Sequence, residues 1–208
     1  MAEAVAQVAR RVNEVVESGG NHLDLSDCSL NAFPIGLYVV LKPVAQNIHS
    51  INLANNEIKA LTSKFFNTFT YVKGLEYQCN YRINNIEQST HFHILPVHPS
   101  SALKNTKLKL LHWELNLAGN TLQRLPDEVN TLIQLKSINL SKNKIQDFPG
   151  NLLDIKTLEI INLEDNQITD VPVDKLSCMP SLQSVNLKAN PINKDSLELL
   201  GIKFELLI

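Results

Sequence analysis

The pattern L-x-x-L-x-L-x-x-N-x-L recurs along the chain and constrains its architecture more than any other feature. It is cleanest at Leu135-x-x-Ile138-x-Leu140-x-x-Asn143-x-Ile145 and Leu158-x-x-Ile161-x-Leu163-x-x-Asn166-x-Ile168. Leu182-x-x-Val185-x-Leu187-x-x-Asn190-x-Ile192 follows. The fourth position falls at Leu23, Ile51, Leu115, Ile138, Ile161 and Val185, in steps of 28, 64, 23, 23 and 24 residues. A period of this length means units that stack on their neighbours, because no single unit hides its own apolar side. The expected fold is one elongated α/β solenoid domain over residues 1–208.

Each copy has a physical reading. The L-x-L core is a short strand whose leucines point inward while the residues between them face out. Neighbouring strands pair in parallel and line a concave face. The asparagine (Asn56, Asn120, Asn143, Asn166, Asn190) turns the chain off the strand, and its amide satisfies backbone groups that the turn exposes. Stacked copies then form an asparagine ladder, with Cys28 in that place in the first copy. The other half of each copy reads Phe33-Pro34, Leu125-Pro126, Phe148-Pro149 or Val171-Pro172, followed by apolar residues at three-residue spacing. Proline suits the first position of a helical turn, so short 3₁₀ or α turns are expected on the convex side.

Both ends need cover. Val5, Val8, Val12, Val15 and Val16 share one face of a helix that Gly19-Gly20 terminates, so residues 1–20 are expected to cap the first repeat. Residues 194–208, with Leu197, Leu200, Ile202, Phe204 and Leu206, are expected to close the other end. The step of 64 is the anomaly. Val72-x-x-Leu75-x-Tyr77-x-x-Asn80 is a degraded copy that would supply the third strand. Residues 76–114 then form an insertion that preserves the register, as an in-frame retained intron or a loop bulging from the array would.

Composition narrows the function classes. A net charge of −2 offers no bulk attraction to nucleic acid or an anionic membrane. No apolar run is long enough to span a membrane. The N-terminal stretch has an early acid and no long apolar core, unlike a secretory signal. Cys28, Cys79 and Cys178 are too scattered for a disulfide framework, so a reducing, cytoplasmic location is expected. His91, His93, His98 and His112 cluster near Cys79, but no ligand pair at metal spacing is present, so no metal or other cofactor is expected. Lys104, Lys107, Lys109 and Trp113 have a faint nucleic-acid look, outweighed by the reading as a solvated loop or short strand. Phosphate-loop, dinucleotide, hydrolase-elbow and zinc-protease motifs are all absent from the sequence, and no catalytic residue stands out.

The 23–24-residue copies with an L-x-x-L-P segment resemble the intracellular leucine-rich repeat proteins of the Ras-suppressor and scribble type. Leu53-Ala54-Asn55-Asn56-Glu57, Ile161-Asn162-Leu163-Glu164-Asp165-Asn166 and Val171-Pro172-Val173-Asp174-Lys175-Leu176 look like a member of this class. The likeness runs over roughly residues 1–75 and 115–204. It implies a leucine-rich repeat solenoid, with a parallel sheet on the concave face and short helices or 3₁₀ turns on the convex face. It supplies no catalytic residues.

The expected function is a non-enzymatic scaffold binding a protein partner, with no nucleic acid and no membrane, and monomeric on its own. The alternative is a subunit packed permanently in a larger assembly. The candidate surface is the concave face. Between the strand leucines it presents Asp24, Asn52, Asn116, Asn139, Asn162 and Asn186. The next outward positions carry Ser26, Ala54, Ala118, Ser141, Glu164 and Lys188. Lys142, Glu164 and Lys188 are the charges expected to set a partner's register.

Overall fold

The computed structural model describes residues 2–69, 113–193 and 202–208. The chain divides into two compact units, Met1–Thr70 with His112–Ile208, and Tyr71–Leu111. The second unit lies outside the described residues, as do the histidine cluster and the lysine stretch named above.

Seven strands form one parallel sheet in chain order: β1 (His22–Asp24), β2 (Ser50–Asn52), β3 (Trp113–Asn116), β4 (Leu135–Asn139), β5 (Ile160–Asn162), β6 (Ser184–Asn186) and β7 (Glu205–Leu207). The repeat pattern sets the register. Leu23, Ile51, Leu115, Ile138, Ile161 and Val185 stand opposite one another across the sheet, and Leu206 continues the row. These positions are fully or almost fully buried up to Val185, and each such aliphatic contributes about 1.5–3 kcal/mol.

The strand beside β2 is β3, with Ile51 opposite Leu115; the degraded copy at Val72–Asn80 lies outside the described residues. Opposite Ile51, Leu115 supplies the same inward aliphatic and Asn116 the same outward amide, and Asn120 carries the ladder on to the Leu53 carbonyl and the Ile58 N–H. Within the C-terminal stretch expected to close the array, Glu205–Leu207 form an edge strand, and Leu206 matches Val185 after a shorter step.

The return segments are short, as the proline pattern implies: α2 (Leu37–Val40), α3 (Ser63–Thr68), α4 (Val173–Ser177) and 3₁₀ turns at Ala45–Asn47, Asp127–Thr131 and Gly150–Asp154. Helix α1 (Ala2–Ser18) packs Val8, Val12 and Val15 against the first repeat. Their spacing of four and three residues keeps them on one helical face. Gly19, at φ 62°, ends the helix, and the Gly20 N–H donates to the Val15 carbonyl at 3.0 Å.

The residue before each ladder position is left-handed. Asp27, Asn55, Lys142, Asp165 and Ala189 have φ of 54–57°, and Gly119 has 64°. Only Gly119 is glycine among these six, and a Cβ there would stand 2.5 Å from Asn55 Oδ1. The ladder holds the others in that conformation. Asn143 is representative: its Nδ2 donates to the Leu117, Leu140 and Ser141 carbonyls at 3.0–3.1 Å, and its Oδ1 accepts the Leu122 N–H at 3.0 Å. Asn56, Asn120, Asn166 and Asn190 repeat the scheme. Each amide ties its own turn to the repeat before it.

Candidate functional site

The parallel register aligns two outward rows on the concave face. One is Asp24, Asn52, Asn116, Asn139, Asn162, Asn186 and Leu207; the other is His22, Ser50, Glu114, Ser137, Ile160, Ser184 and Glu205. Both follow from the period of two along a strand. The first row contains the sequence candidates. The second was missed, although Ser50 and Asn52 flank the same inward Ile51 and must share a face.

The asparagines of the first row have an internal task. Oδ1 of Asn52, Asn116, Asn139, Asn162 and Asn186 accepts the backbone N–H two residues on, at 3.0–3.1 Å. This local bond closes the strand end. It occupies the oxygen and leaves the amide nitrogen. Among the described residues, no hydrogen bond from the amide nitrogens of Asn52, Asn116, Asn139 and Asn162 is present, whereas Asn186 Nδ2 donates to Glu164 at 3.0 Å.

Asp24 is held differently. It accepts from the Ser26 N–H and hydroxyl at 3.0 and 2.7 Å, and Arg11 of α1 reaches it at 3.7 Å. Burial alone would raise its carboxyl. The two Ser26 hydrogen bonds and the charges of Arg11 and His22 outweigh that and hold it below the usual carboxylate value. Arg11 also donates to the Ser26 carbonyl at 2.8 Å, and the Cys28 thiol donates to the same carbonyl at 3.3 Å. The corresponding carbonyl one repeat on, Ala54, accepts from the ladder amide of Asn56. Arg11 and Cys28 together thus do at the first repeat what an asparagine does later. Burial also pushes the Cys28 thiol up, which keeps it protonated as a donor.

The proposed outer positions are mostly not open. Ala54 and Ser141 are buried, while Ser26, Ala118 and Glu164 are half-buried. Lys188 and Lys142 are exposed, and Lys142 belongs to the left-handed turn rather than to the row of Glu164 and Lys188. Lys136 forms an ion pair with Glu159, whose other oxygen accepts from Gln183 at 3.3 Å. Ile160 is 45% exposed and gives the face one apolar residue.

His22, Ser50, Asn52, Glu114, Asn116, Ser137 and Asn139 line a shallow depression of about 280 Å³ on β1–β4. A larger recess of about 580 Å³ lies off the sheet, lined by Ala4, Val5, Val8, Ala9, Leu30, Pro34 and Leu37 among others. Its surroundings include exposed Val5, Ile35 and Val39. Among the described residues, no group of His, Cys, Asp and Glu is arranged to hold a metal ion, and no helix is long and apolar enough to cross a membrane.

Residues 113–168 match the family description "Leucine rich repeat". The chain is 49% identical to leucine-rich repeat-containing protein 20 of Mus musculus, over 100% of this chain and 92% of that protein. It is 45% identical to leucine-rich repeat-containing protein 20 of Homo sapiens, over 66% of this chain and 53% of that protein. Among solved structures, the leucine-rich repeat domain of APL1B superposes with a TM-score of 0.54 at 16% identity, covering 92% of this chain and 42% of that one. That likeness is one of fold. With the repeat register, the asparagine ladder and the full-length mouse relative in agreement, the chain belongs to the leucine-rich repeat family, and within it is similar to leucine-rich repeat-containing protein 20.

Proposed function

We propose that the chain is a non-catalytic interaction scaffold that binds a protein partner through the concave face of its sheet, acting as a monomer in the cytoplasm. The observation that carries this reading is the row of asparagines whose oxygens close the strand ends while the amide nitrogens of Asn52, Asn116, Asn139 and Asn162 face outward without a partner among the described residues. Adjacent strands lie about 4.8 Å apart, so these donors form a regular line suited to carbonyl oxygens of a docked chain. Exposed Lys142 and Lys188 add charge at the C-terminal end of that face. Cys28 and Cys178 are both free thiols, which fits a reducing compartment.

A photo-crosslinking amino acid at Ile160, on the concave face, tests this against the same group at Asn130, on the convex 3₁₀ turn. The scaffold reading expects the partner adduct from position 160 to exceed that from position 130 at least several-fold. Equal yields, or a stronger adduct from 130, would remove the concave face as the binding surface.

The recess beside α1 supports a second reading, a subunit seated in a larger assembly through its N-terminal end. Exposed Val5, Ile35 and Val39 give that end an apolar character that the strand positions lack. A crosslinker at Val39 that outperforms the one at Ile160 would favour it.

A further inference from the structure

The concave depression has a donor and acceptor layout that specifies what enters it. We propose that it is a recess for a single arginine side chain of a partner, with Glu114 as its charged acceptor; this rests on the concave-face reading above.

Glu114 stands between Ser50 and Ser137 in the sheet register, one strand spacing from each. It is exposed, and among the described residues it has no ion-pair partner. Three other carboxylates of this face are engaged, Asp24 with Arg11, Glu159 with Lys136 and Glu164 with Asn186, while Glu205 stands on the edge strand β7, outside the depression. No lysine or arginine lines the depression. The unmatched charge is therefore one negative group in a polar concavity.

The surrounding groups narrow the cation further. Ser50 and Ser137 put hydroxyl oxygens on either side of Glu114, and Ser50 Oγ is already oriented by His22 Nδ1 at 2.9 Å. A guanidinium carries five N–H donors in a planar fork, so it reaches the carboxylate with two and a flanking hydroxyl with a third. An ammonium is a compact, strongly hydrated point charge and gains less from acceptors spread along a row. On the other side of the depression, the amide nitrogens of Asn52, Asn116 and Asn139 point the opposite polarity at the ligand. They match main-chain carbonyls of the segment that carries the arginine. Acceptors in one row and donors in the next thus fit a side chain and its own backbone together. The volume suits one side chain, since sites for drug-sized ligands run roughly 300–1,000 Å³. Ile160 lies two strands beyond Glu114 in the same row, about 10 Å away by strand spacing, and offers an apolar contact to a neighbouring residue of that segment.

The probe is a phage-displayed library of random 12-residue peptides, selected on the full chain and then on Glu114→Gln. The expected result is enrichment of arginine on the wild type, with binding of the selected peptides weakened roughly tenfold or more by Glu114→Gln, the loss typical of a charge-assisted hydrogen bond. An Arg→Lys change in those peptides weakens them too, and Glu114→Arg selects acidic peptides instead. Glu114 is exposed, so the variants are expected to keep the wild-type unfolding midpoint, which is measured alongside. Peptides without basic enrichment that lose binding to Ile160→Asp but not to Glu114→Gln would overturn the arginine recess and leave the concave-face reading standing. Peptides indifferent to both changes would overturn both.

Discussion

The N-terminal third of the array and the run from β3 to β6 use the same strand and the same ladder but fill the convex side differently. From Leu115 to Val185 the step is 23 or 24 residues, and Leu and Val or Ile such as Val129, Leu132, Leu152, Ile155 and Leu176 fill the space beneath the turns. From Leu23 to Ile51 the step is 28, and the return path carries α2 and a 3₁₀ turn. The larger interior there is filled by rings. Phe33 packs on Tyr38, Phe65 and Phe69 with centroids 5.0, 5.1 and 5.9 Å apart, and Phe65 also meets Phe66 at 5.3 Å. Lys64 lies over the Tyr38 ring at 4.7 Å from its centroid. A wider repeat needs side chains that reach further, and tilted or edge-on rings do so while linking consecutive repeats.

That difference makes the two regions unequal in how they fail. The largest effect is expected from Phe65→Ala. The ring is 1% exposed and touches three other aromatics, so truncation should cost about 3–5 kcal/mol. Leu152→Ala in the regular region should cost about 2–5 kcal/mol, at the lower end if neighbouring aliphatics relax. Chemical denaturation of both variants decides it: a Leu152 variant clearly less stable than the Phe65 variant would mean that the aromatic cluster is not the tighter of the two cores.

The ladder comes next. Asn143→Ala removes a buried amide that satisfies three carbonyls and one N–H from two repeats. The Leu117, Leu140 and Ser141 carbonyls keep the Asn120 amide, the Asn166 amide and the Gly119 N–H as donors, so the Leu122 N–H is the group left without a partner. One orphaned buried backbone group costs about 1–3 kcal/mol, and a loss in that range is expected. Hydrogen exchange should show the opening centred on Leu117, Leu122 and Leu140. Loss confined to the turn of residue 143 would mean that the amide serves only its own repeat.

The smallest effect probes the first repeat, where Arg11 and Cys28 take the place of the ladder asparagine. The folded Asp24 carboxyl lies below its usual value, so its contribution is present above the unfolded value of about 3.9 and disappears as pH falls through the folded one. Asp24→Asn keeps the Oδ1 acceptor that the other repeats have but loses the charge. With the pair 25% and 41% exposed, solvent screening limits the wild-type advantage at neutral pH to about 0.5–1 kcal/mol. The stability gap between the two proteins should close as pH falls through the lowered value of the folded Asp24 carboxyl. A gap that is unchanged at low pH would assign the effect to packing rather than to charge.

Sequence alone determined the parallel array, the row of inward aliphatics and the places of the ladder amides. These follow from residues within one copy: the strand period, the proline at the turn and the asparagine three positions after the second leucine of the strand L-x-L. It also placed Asn52, Asn116 and Asn139 on the outward face, because alternation along a strand is a local property. Only the tertiary structure decided which of the outward groups remain available. Asp24 is claimed by Arg11 from α1, Glu159 by Lys136 and Glu164 by Asn186, while Glu114 is left without an ionic partner among the described residues. Those pairings join residues 13 to 23 positions apart in the chain, and no pattern within a repeat encodes them. The pairing of β2 with β3 and the added strand β7 have the same origin: a parallel strand joins whichever inward aliphatic row fits the edge beside it, at a distance along the chain that local periodicity does not record.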